Sequence, residues 1–247
     1  MNRNELAEAF QRDGFVIQRQ LFSLVEVKEI ETHLQQCLDR LPADVEPGKV
    51  YFDESTPKNV KAYHRLHEDS AFFQDLMVEP RIMNILQAIW PGDDIITRGV
   101  SLFDKPSANS GDTPPHQDNT FQCWNPALAL TVTVAIDETT PENAPLICQA
   151  GSHHLGMLAH RFSGTMGFSR VLVDPVDSET YPTVELCMKP GDVALHHILT
   201  VHSAKVNRSG RPRRQIGIGY LSSRVRRDEA AYAQYQKDLA ELHAQNK

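Results

Sequence analysis

The sequence lacks a cysteine-rich motif, a long apolar run and an excess of basic residues. Its four cysteines have no CxxC or zinc-type spacing, so in a chain of 247 residues we expect reduced, buried thiols in a reducing compartment. No stretch of about 18 apolar residues is present, which argues against a membrane-spanning helix. A net charge of −7 argues against a general nucleic-acid binder. The N-terminal segment is polar and unlike a signal peptide, so the expected location is cytoplasmic.

The sequence pattern is typical of a globular protein with helices at both ends. Helical patterns occupy residues 4–12, the stretch after a Ser23–Glu26 capping box, and the stretch from Pro80 to a Pro91-Gly92 stop. Helical composition returns at Asp228. Between them, short β-rich runs alternate with turn residues, at 95–103, 128–136, 145–149, 170–173, 183–188, 192–198 and 214–222.

These patterns predict one domain over residues 1–247. Its parts are a helical flank over 1–92, a core of many short strands over 93–224 and a C-terminal helix over 225–247. Many short strands separated by turns are typical of a sandwich or barrel, so the predicted class is mainly β with flanking helices.

His116, Asp118 and His202 form a set of side chains that suits a ferrous ion. Side chains two positions apart on a strand point to the same side, so His116 and Asp118 are predicted to project together. His202 lies 86 residues after His116, and only the fold can bring it near. Two imidazoles and one carboxylate can bind one face of Fe(II) and leave the other face open for a co-substrate and O2.

Two other histidines compete with His202 for the third position, and a lone His-x-Asp pair is common by chance. His196 and His197 are expected to lie within a strand, one of them facing the core as a hydrogen-bonded structural histidine. His202 is favoured because it follows that strand at the mouth of a turn and precedes Arg213 by 11 residues.

Arg213 is predicted to face inward from the last strand and to hold the far carboxylate of a dicarboxylate co-substrate through two parallel hydrogen bonds. The alternative is that Arg208, Arg211, Arg213 and Arg214 form a solvated basic turn. Strand alternation places Arg213 and Arg214 on opposite faces. An inward guanidinium needs an anionic partner, because an unpaired one would cost about 3–5 kcal/mol.

Six short segments are informative as a set, in the order in which they occur along the chain. They are FQRDGF at 10–15, PHQD at 115–118, EN at 142–143, GSHHLGML at 151–158, KPGD at 189–192, and the stretch from His202 through Asn207 to Arg213. Together they resemble the phytanoyl-CoA dioxygenase family of Fe(II)- and 2-oxoglutarate-dependent oxygenases, over nearly the whole chain.

This resemblance implies a double-stranded β-helix, that is, a cupin-like jelly roll with helices packed outside it. It implies His116, Asp118 and His202 as iron ligands and Arg213 as the anchor of 2-oxoglutarate. Further contacts to the co-substrate or pocket are expected at Lys61, Gln117 and His160. Where many members carry a serine two places after the distal histidine, this chain has Ala204, and Ser203, one place earlier, is expected to contact the co-substrate instead. Thr133 replaces a common tryptophan and is expected to bond the co-substrate.

The function implied is hydroxylation of an unactivated C–H bond of a small organic molecule, with release of succinate and CO2. The carboxylate at Asp118 argues against halogenation. The alternatives are desaturation, epimerisation or cyclisation at the same iron site, a cupin-like metalloenzyme that does not use 2-oxoglutarate, and a non-catalytic binding module. A monomer or homodimer without nucleic-acid or membrane partners is expected.

Substrate selection is the least constrained feature of the sequence. Phe103, Trp124 and His160 are candidate walls of the substrate pocket, although buried aromatic residues are more often plain core. Three C-terminal arginines are expected to form a solvated cluster, with contact to an anionic substrate as the alternative; they are Arg224, Arg226 and Arg227.

Overall fold

Two β-sheets and a layer of helices make up most of the molecule. The computed structural model describes residues 1–42, 44–53, 59–106, 112–165 and 168–245. The helices are α1 (Arg3–Asp13), α2 (Leu24–Asp39), α3 (Leu66–Asp69), α4 (Ala71–Leu76), α5 (Pro80–Ile89), α6 (Asn119–Gln122) and α7 (Glu229–Gln245). The strands are β1 (Phe15–Gln18), β2 (Val50–Phe52), β3 (Val60–Tyr63), β4 (Ile95–Lys105), β5 (Thr113–His116), β6 (Trp124–Asn125), β7 (Ala129–Ala135), β8 (Ile147–Gln149), β9 (His160–Thr165), β10 (Phe168–Leu172), β11 (Thr183–Glu185), β12 (Val193–His197), β13 (His202–Ala204), β14 (Arg213–Ser222) and β15 (Arg226–Arg227).

The two larger sheets are antiparallel and pack face to face. In the described part of the chain, the large sheet has seven strands in the order β1-β12-β7-β14-β4-β3-β2, and the small sheet has four in the order β11-β8-β13-β5. Cys148 of the small sheet shares a buried cluster with Ala135 and Ala194 of the large sheet. This sandwich confirms the predicted jelly roll with helices outside it.

Strand alternation gives the large sheet two different faces. On β14, Ile216 and Ile218 belong to the main apolar core. The residues between and before them, Arg213, Gln215 and Gly217, therefore point to the opposite face, which looks toward the small sheet. We call this second face the inner face, and it carries the polar residues of the site described below.

Helices α1, α2 and α5 cover the outer face because each has one apolar stripe. Leu6, Ile30 and Ile82, one from each helix, are all buried in the main core. The predicted Ser23–Glu26 capping box is present, and Asn2 and Glu5 form another at the start of α1. Capping of this kind satisfies N–H groups that the first helical turn leaves without partners.

The predicted boundary between helical flank and β core at residue 93 needs correction. Strand β1 pairs with β12, and β3 pairs with β4, so three strands from the predicted flank belong to the large sheet. Strands β2 and β3 were not predicted, because both are short and the Pro and Gly residues around them are typical of loops. Among the described residues, no helix is both long and apolar enough to cross a membrane.

Candidate metal and co-substrate site

His116, Asp118 and His202 converge between the two sheets. His116 ends β5 and His202 begins β13, and the two are direct register partners. The Nε2 atoms of His116 and His202 lie 3.4 and 3.5 Å from Asp118 Oδ1. One ligand atom from each of the three residues lies within 4.8 Å of the other two. The three residues predicted as ligands are therefore close enough to share one metal ion.

The hydrogen bonds of both imidazoles fix which nitrogen faces the centre. His116 Nδ1 lies 3.0 Å from the carbonyl of Pro114, and His202 Nδ1 lies 2.9 Å from the carbonyl of Thr200. A carbonyl only accepts, so each Nδ1 carries the proton, and each neutral ring has a bare Nε2. Metal-binding histidines are commonly oriented in this way, and the donor set fits a divalent transition metal.

Asp118 reaches the centre by a turn and not by strand alternation, which corrects the reasoning from sequence. Strand β5 ends at His116, and Asp118 has helical backbone angles immediately before α6. The amide of Asn119 donates to the carbonyl of Ile198 at 3.1 Å and ties this turn to the segment after β12. The two residues converge as predicted, but the cause is the turn.

His196 contacts the same carboxylate and was missed as a site residue. Its Nε2 lies 3.2 Å from Asp118 Oδ2, the oxygen that faces away from the other imidazoles. It therefore lies on the inner face, beside the site. His197 is the structural histidine of the pair: its Nδ1 accepts from the amide of Leu199, and burial lowers its pKa to about 3.

The electrostatics of the cluster favour one positive charge opposite Asp118. Burial alone would raise the pKa of Asp118, but the charge of His202 and the close contact with three imidazoles hold that pKa well below its ordinary value. Burial lowers the pKa of His202, but the charge of Asp118, the contact with its carboxylate and the hydrogen bond to Thr200 together raise it above its ordinary value. The pKa of His116 falls to about 4 through burial and its neighbour His202. A divalent cation would supply that charge directly.

Arg213 faces inward from the start of β14, as predicted, and is buried. One of its terminal nitrogens donates to Gln215 Oε1, while its Nε and the Nε2 of Gln215 have no partner among the described residues. Burial lowers the pKa of Arg213 to about 10. Arg214 takes the opposite face and pairs with Asp137 and Glu31, both at 2.8 Å. Donors left without acceptors are what a site for an absent anion would show.

A second buried cation, Lys105, lies directly opposite Arg213 in the register of β4 and β14. Its pKa falls to about 7, first through burial and then through the charges of Arg213 and Lys61. Lys61, the predicted co-substrate contact, is half-buried, and its charge acts on Lys105, so it lies near this cationic end. Lys105 was missed because the predicted strand ended at residue 103, two positions before it.

Two of the predicted pocket residues act as braces. Gln117 is fully buried, and its amide donates to the carbonyls of Gly156 and Leu199 and accepts from the amide of Leu158, each at 2.8 Å. His160 uses one ring nitrogen on the carbonyl of Leu158 and the other to accept from the amide of Gln117. Both side chains are thus committed to the main chain and not to a co-substrate.

The remaining predicted residues divide by the face they occupy. Thr133 pairs with Gly217 and Ala194 and lies on the inner face, buried. Ser203 follows His202 on β13, so alternation turns its hydroxyl away from the site, which corrects its prediction as a co-substrate contact. Phe103 is 41% exposed on the inner face. Trp124 lies near the mouth of the site, between two arginines.

Comparisons with known proteins agree with this architecture. The sequence model of the phytanoyl-CoA dioxygenase (PhyH) family matches residues 10–215. A phytanoyl-CoA dioxygenase of Arabidopsis thaliana is 23% identical over 66% of the chain and 57% of its own length. A probable alpha-ketoglutarate-dependent hypophosphite dioxygenase of Stutzerimonas stutzeri is 25% identical over 85% of the chain and 75% of its own length.

A solved structure supports the same fold. The epimerase SnoN, in complex with Fe3+, alpha ketoglutarate and nogalamycin RO, superposes with a TM-score of 0.74. The identity is 20%, with 90% of this chain and 84% of the other covered. The chain belongs to the phytanoyl-CoA dioxygenase family, and with that family to the non-haem iron dioxygenases that depend on 2-oxoglutarate.

Proposed function

We propose that this protein is an Fe(II)- and 2-oxoglutarate-dependent dioxygenase that hydroxylates an unactivated C–H bond of a small organic molecule and releases succinate and CO2. The observation that supports it is the convergence of His116, Asp118 and His202 on one point, with both imidazole tautomers fixed for metal binding. When bound, ferrous iron, 2-oxoglutarate and O2 supply the oxidising power for C–H cleavage.

The chain's own residues would bind and orient these groups. His116 and His202 offer neutral nitrogen donors, and Asp118 offers the anionic oxygen. At the other end of the inner face, Arg213 has the free donors to hold the far carboxylate of 2-oxoglutarate, with Lys105 beside it as a second cation.

Neighbouring side chains would keep these groups in place and dry. Gln117 fixes the turn that carries Asp118, since it holds the loops at Gly156 and Leu199. The apolar cluster around Cys148 closes the space between the sheets to water. Exclusion of water matters because electrostatic contacts strengthen when the local dielectric falls.

The direct test is an anaerobic titration of the protein with Fe(II) and 2-oxoglutarate, followed by the weak visible charge-transfer band of the ternary complex. We expect the band in the wild type, its loss in Asp118→Ala, and a weaker affinity for 2-oxoglutarate in Arg213→Gln. Arg211→Gln is the matched control, because Arg211 is exposed on the preceding loop.

No band in the wild type would exclude this function and leave a cupin-like metalloenzyme that does not use 2-oxoglutarate. After the band is found, O2 and a metabolite panel are added and succinate is measured. Transfer of 18O from O2 to the product would distinguish hydroxylation from desaturation, epimerisation and cyclisation.

The remaining properties rest on composition. We propose a single domain over residues 1–247 that acts in the cytoplasm as a monomer or homodimer without nucleic-acid or membrane partners. The net charge of −7 and the absence of a cysteine motif support this. Light scattering coupled to gel filtration would give the oligomeric state.

A further inference from the structure

Two arginines share one tryptophan ring at the mouth of the site. The guanidinium of Arg98 lies 5.2 Å from the centre of the Trp124 ring, and that of Arg227 lies 4.4 Å from it. Arg227 also stacks on Tyr232 of α7, at 4.0 Å. We call Arg98 and Arg227 the arginine pair. Stacking of this kind leaves the edges of a guanidinium free to donate hydrogen bonds in its own plane.

A β-bulge turns Arg98 toward the site. Gly219 pairs with Gly99 but Tyr220 pairs with Thr97, so Arg98 is the extra residue on β4. A Cβ added to Gly219 would lie 3.2 Å from the Cβ of Arg98, so both point to the inner face. Bulges often re-aim a side chain beside an active site.

The register of the sheet places Arg98 level with the metal centre. Gly219 pairs with Thr131, and Thr131 pairs with His196, the residue that contacts Asp118. Neighbouring strands are about 4.8 Å apart, so the backbone of Arg98 lies three strands, or about 14 Å, from that of His196. The side chains of both residues extend into this gap, and a small molecule would span the distance that remains between them.

Trp124 is held in fixed relation to the metal ligands. Its amide donates to Asn119 Oδ1 at 2.8 Å, and Asn119 Nδ2 donates back to its carbonyl at 3.1 Å. Asn119 directly follows Asp118 in the chain. The ring that carries the arginine pair is therefore tied to the turn that carries the carboxylate ligand.

Among the described residues, the arginine pair lacks the carboxylate partners that neighbouring arginines have. Arg170 pairs with Asp238 at 2.6 Å and Arg224 with Asp93 at 2.9 Å. Neither Arg98 nor Arg227 has a carboxylate within 4.0 Å in the part of the chain that the structure describes.

Other observations on the pair agree with a missing anion. The Nε of Arg227 is buried without an acceptor among the described residues. Burial and the charge of Arg227 lower the pKa of Arg98. Asp228, the nearest acid in sequence, is used to cap the start of α7 through the amide of Ala231.

We propose that the arginine pair binds an acid group, a carboxylate or a phosphate, on the organic substrate. This inference rests on the proposed function and adds the substrate class to it. The body of the substrate would lie on the inner face, on the stretch of β14 and β7 that separates the pair from the metal centre. Arg227 thus differs from its neighbour Arg226, which is exposed and donates to the main-chain carbonyls of Ser223 and Val225.

The test uses hexanoate and hexyl phosphate as acidic probes and hexanamide as the neutral control. Each is titrated into the anaerobic complex with Fe(II) and saturating 2-oxoglutarate at constant ionic strength, and tryptophan fluorescence is recorded. The other tryptophan, Trp90, is buried at 3% exposure, so a change in emission reports Trp124. We expect saturable binding of at least one acid and none of hexanamide. Comparison of the two acids tells a carboxylate site from a phosphate site.

Arg98→Gln and Arg227→Gln should each raise the Kd of the acid about ten-fold or more, because each removes charge-assisted hydrogen bonds. Arg98→Lys should recover part of the affinity. Arg226→Gln, the neighbour on the same strand, should bind as the wild type does. Wild-type affinity in both glutamine variants, or equal binding of hexanamide, would overturn the proposal.

The charge-transfer band of each sample separates this inference from the proposed function. A normal band in Arg98→Gln or Arg227→Gln with lost acid binding supports both. If the wild type shows no band but binds the acid through the arginine pair, the anion site is supported and the dioxygenase function is excluded. If one glutamine variant fails to fold, the other and the lysine variant still decide the result.

Discussion

The buried guanidinium of Arg213 lowers the stability of the free protein but is expected to bind the co-substrate. Burial, the first cause, lowers its pKa to about 10, and the difference from its ordinary value corresponds to roughly 3 kcal/mol of unfavourable free energy in the charged form. Arg213→Met removes this cost. It also leaves Gln215 Oε1 without its donor, which costs about 1 kcal/mol. Without 2-oxoglutarate, the variant should therefore be about 2 kcal/mol more stable than the wild type.

Thermal unfolding without 2-oxoglutarate measures the difference in stability, and thermal unfolding with 2-oxoglutarate measures the effect of co-substrate binding. A gain of about 2 kcal/mol should raise Tm by about 4–8 °C for a chain of this size. With metal in every sample, addition of 2-oxoglutarate at about 100 times the wild-type Kd should stabilise the wild type by about 2.7 kcal/mol and leave Arg213→Met nearly unchanged. The order of the two melting curves should then narrow or reverse. Arg211→Met, on the exposed loop, should change neither curve.

A lower Tm of Arg213→Met than of the wild type without 2-oxoglutarate would contradict this prediction. It would mean that the guanidinium is already stabilised by a partner in the free protein. The prediction would equally be refuted by a variant that 2-oxoglutarate still stabilises, since the far carboxylate would then be held elsewhere.

Three further substitutions test other parts of the site. His196→Leu removes the donor to Asp118 Oδ2 and should weaken Fe(II) or Mn(II) binding about 10- to 100-fold by calorimetry, with His196→Gln intermediate; unchanged affinity would remove His196 from the site. Burial and a neighbouring carboxylate raise the pKa of Asp104 to about 6. The folded state therefore holds its proton more tightly than the unfolded state, and stability falls as pH rises from about 4 to 6. Asp104→Asn should then stabilise the protein by roughly 2–3 kcal/mol at pH 7.5 and little at pH 4, and equal effects in urea titrations at both pH values would contradict this. Gly217→Ala places a Cβ 2.7 Å from Phe103, so it should lower affinity for substrate while the charge-transfer band with 2-oxoglutarate persists.

The sequence was informative where chemistry and spacing act together. Few functions need two histidines, an aspartate and an arginine in the order of His116, Asp118, His202 and Arg213. The structure brings the three metal-ligand candidates together and buries the arginine. The helices were equally accessible, since their caps and apolar stripes are local patterns, as at Ser23.

The missed residues depend on which face of a strand they occupy, and that depends on register. His196 reaches Asp118 because β12 pairs in one register with β7. Arg98 faces inward because of a bulge that two glycines permit, and Gly99 has a φ of +140° that other residues rarely adopt. Gln117 was assigned to the co-substrate and His160 to the substrate pocket, because the sequence does not show that the main chain already occupies their polar atoms.

Pairing across long stretches of chain also determines when the centre is complete during synthesis. Phe15 pairs with His196, 181 positions later, and His116 pairs with His202. A nascent chain that ends before residue 193 lacks both the imidazole of His202 and β12, the partner strand of its N-terminal edge. Such non-local contacts form slowly, because the closure of a large loop must precede them. Iron loading is therefore expected to follow release from the ribosome, and a truncation that removes only the first 20 residues should impair it although no ligand is deleted.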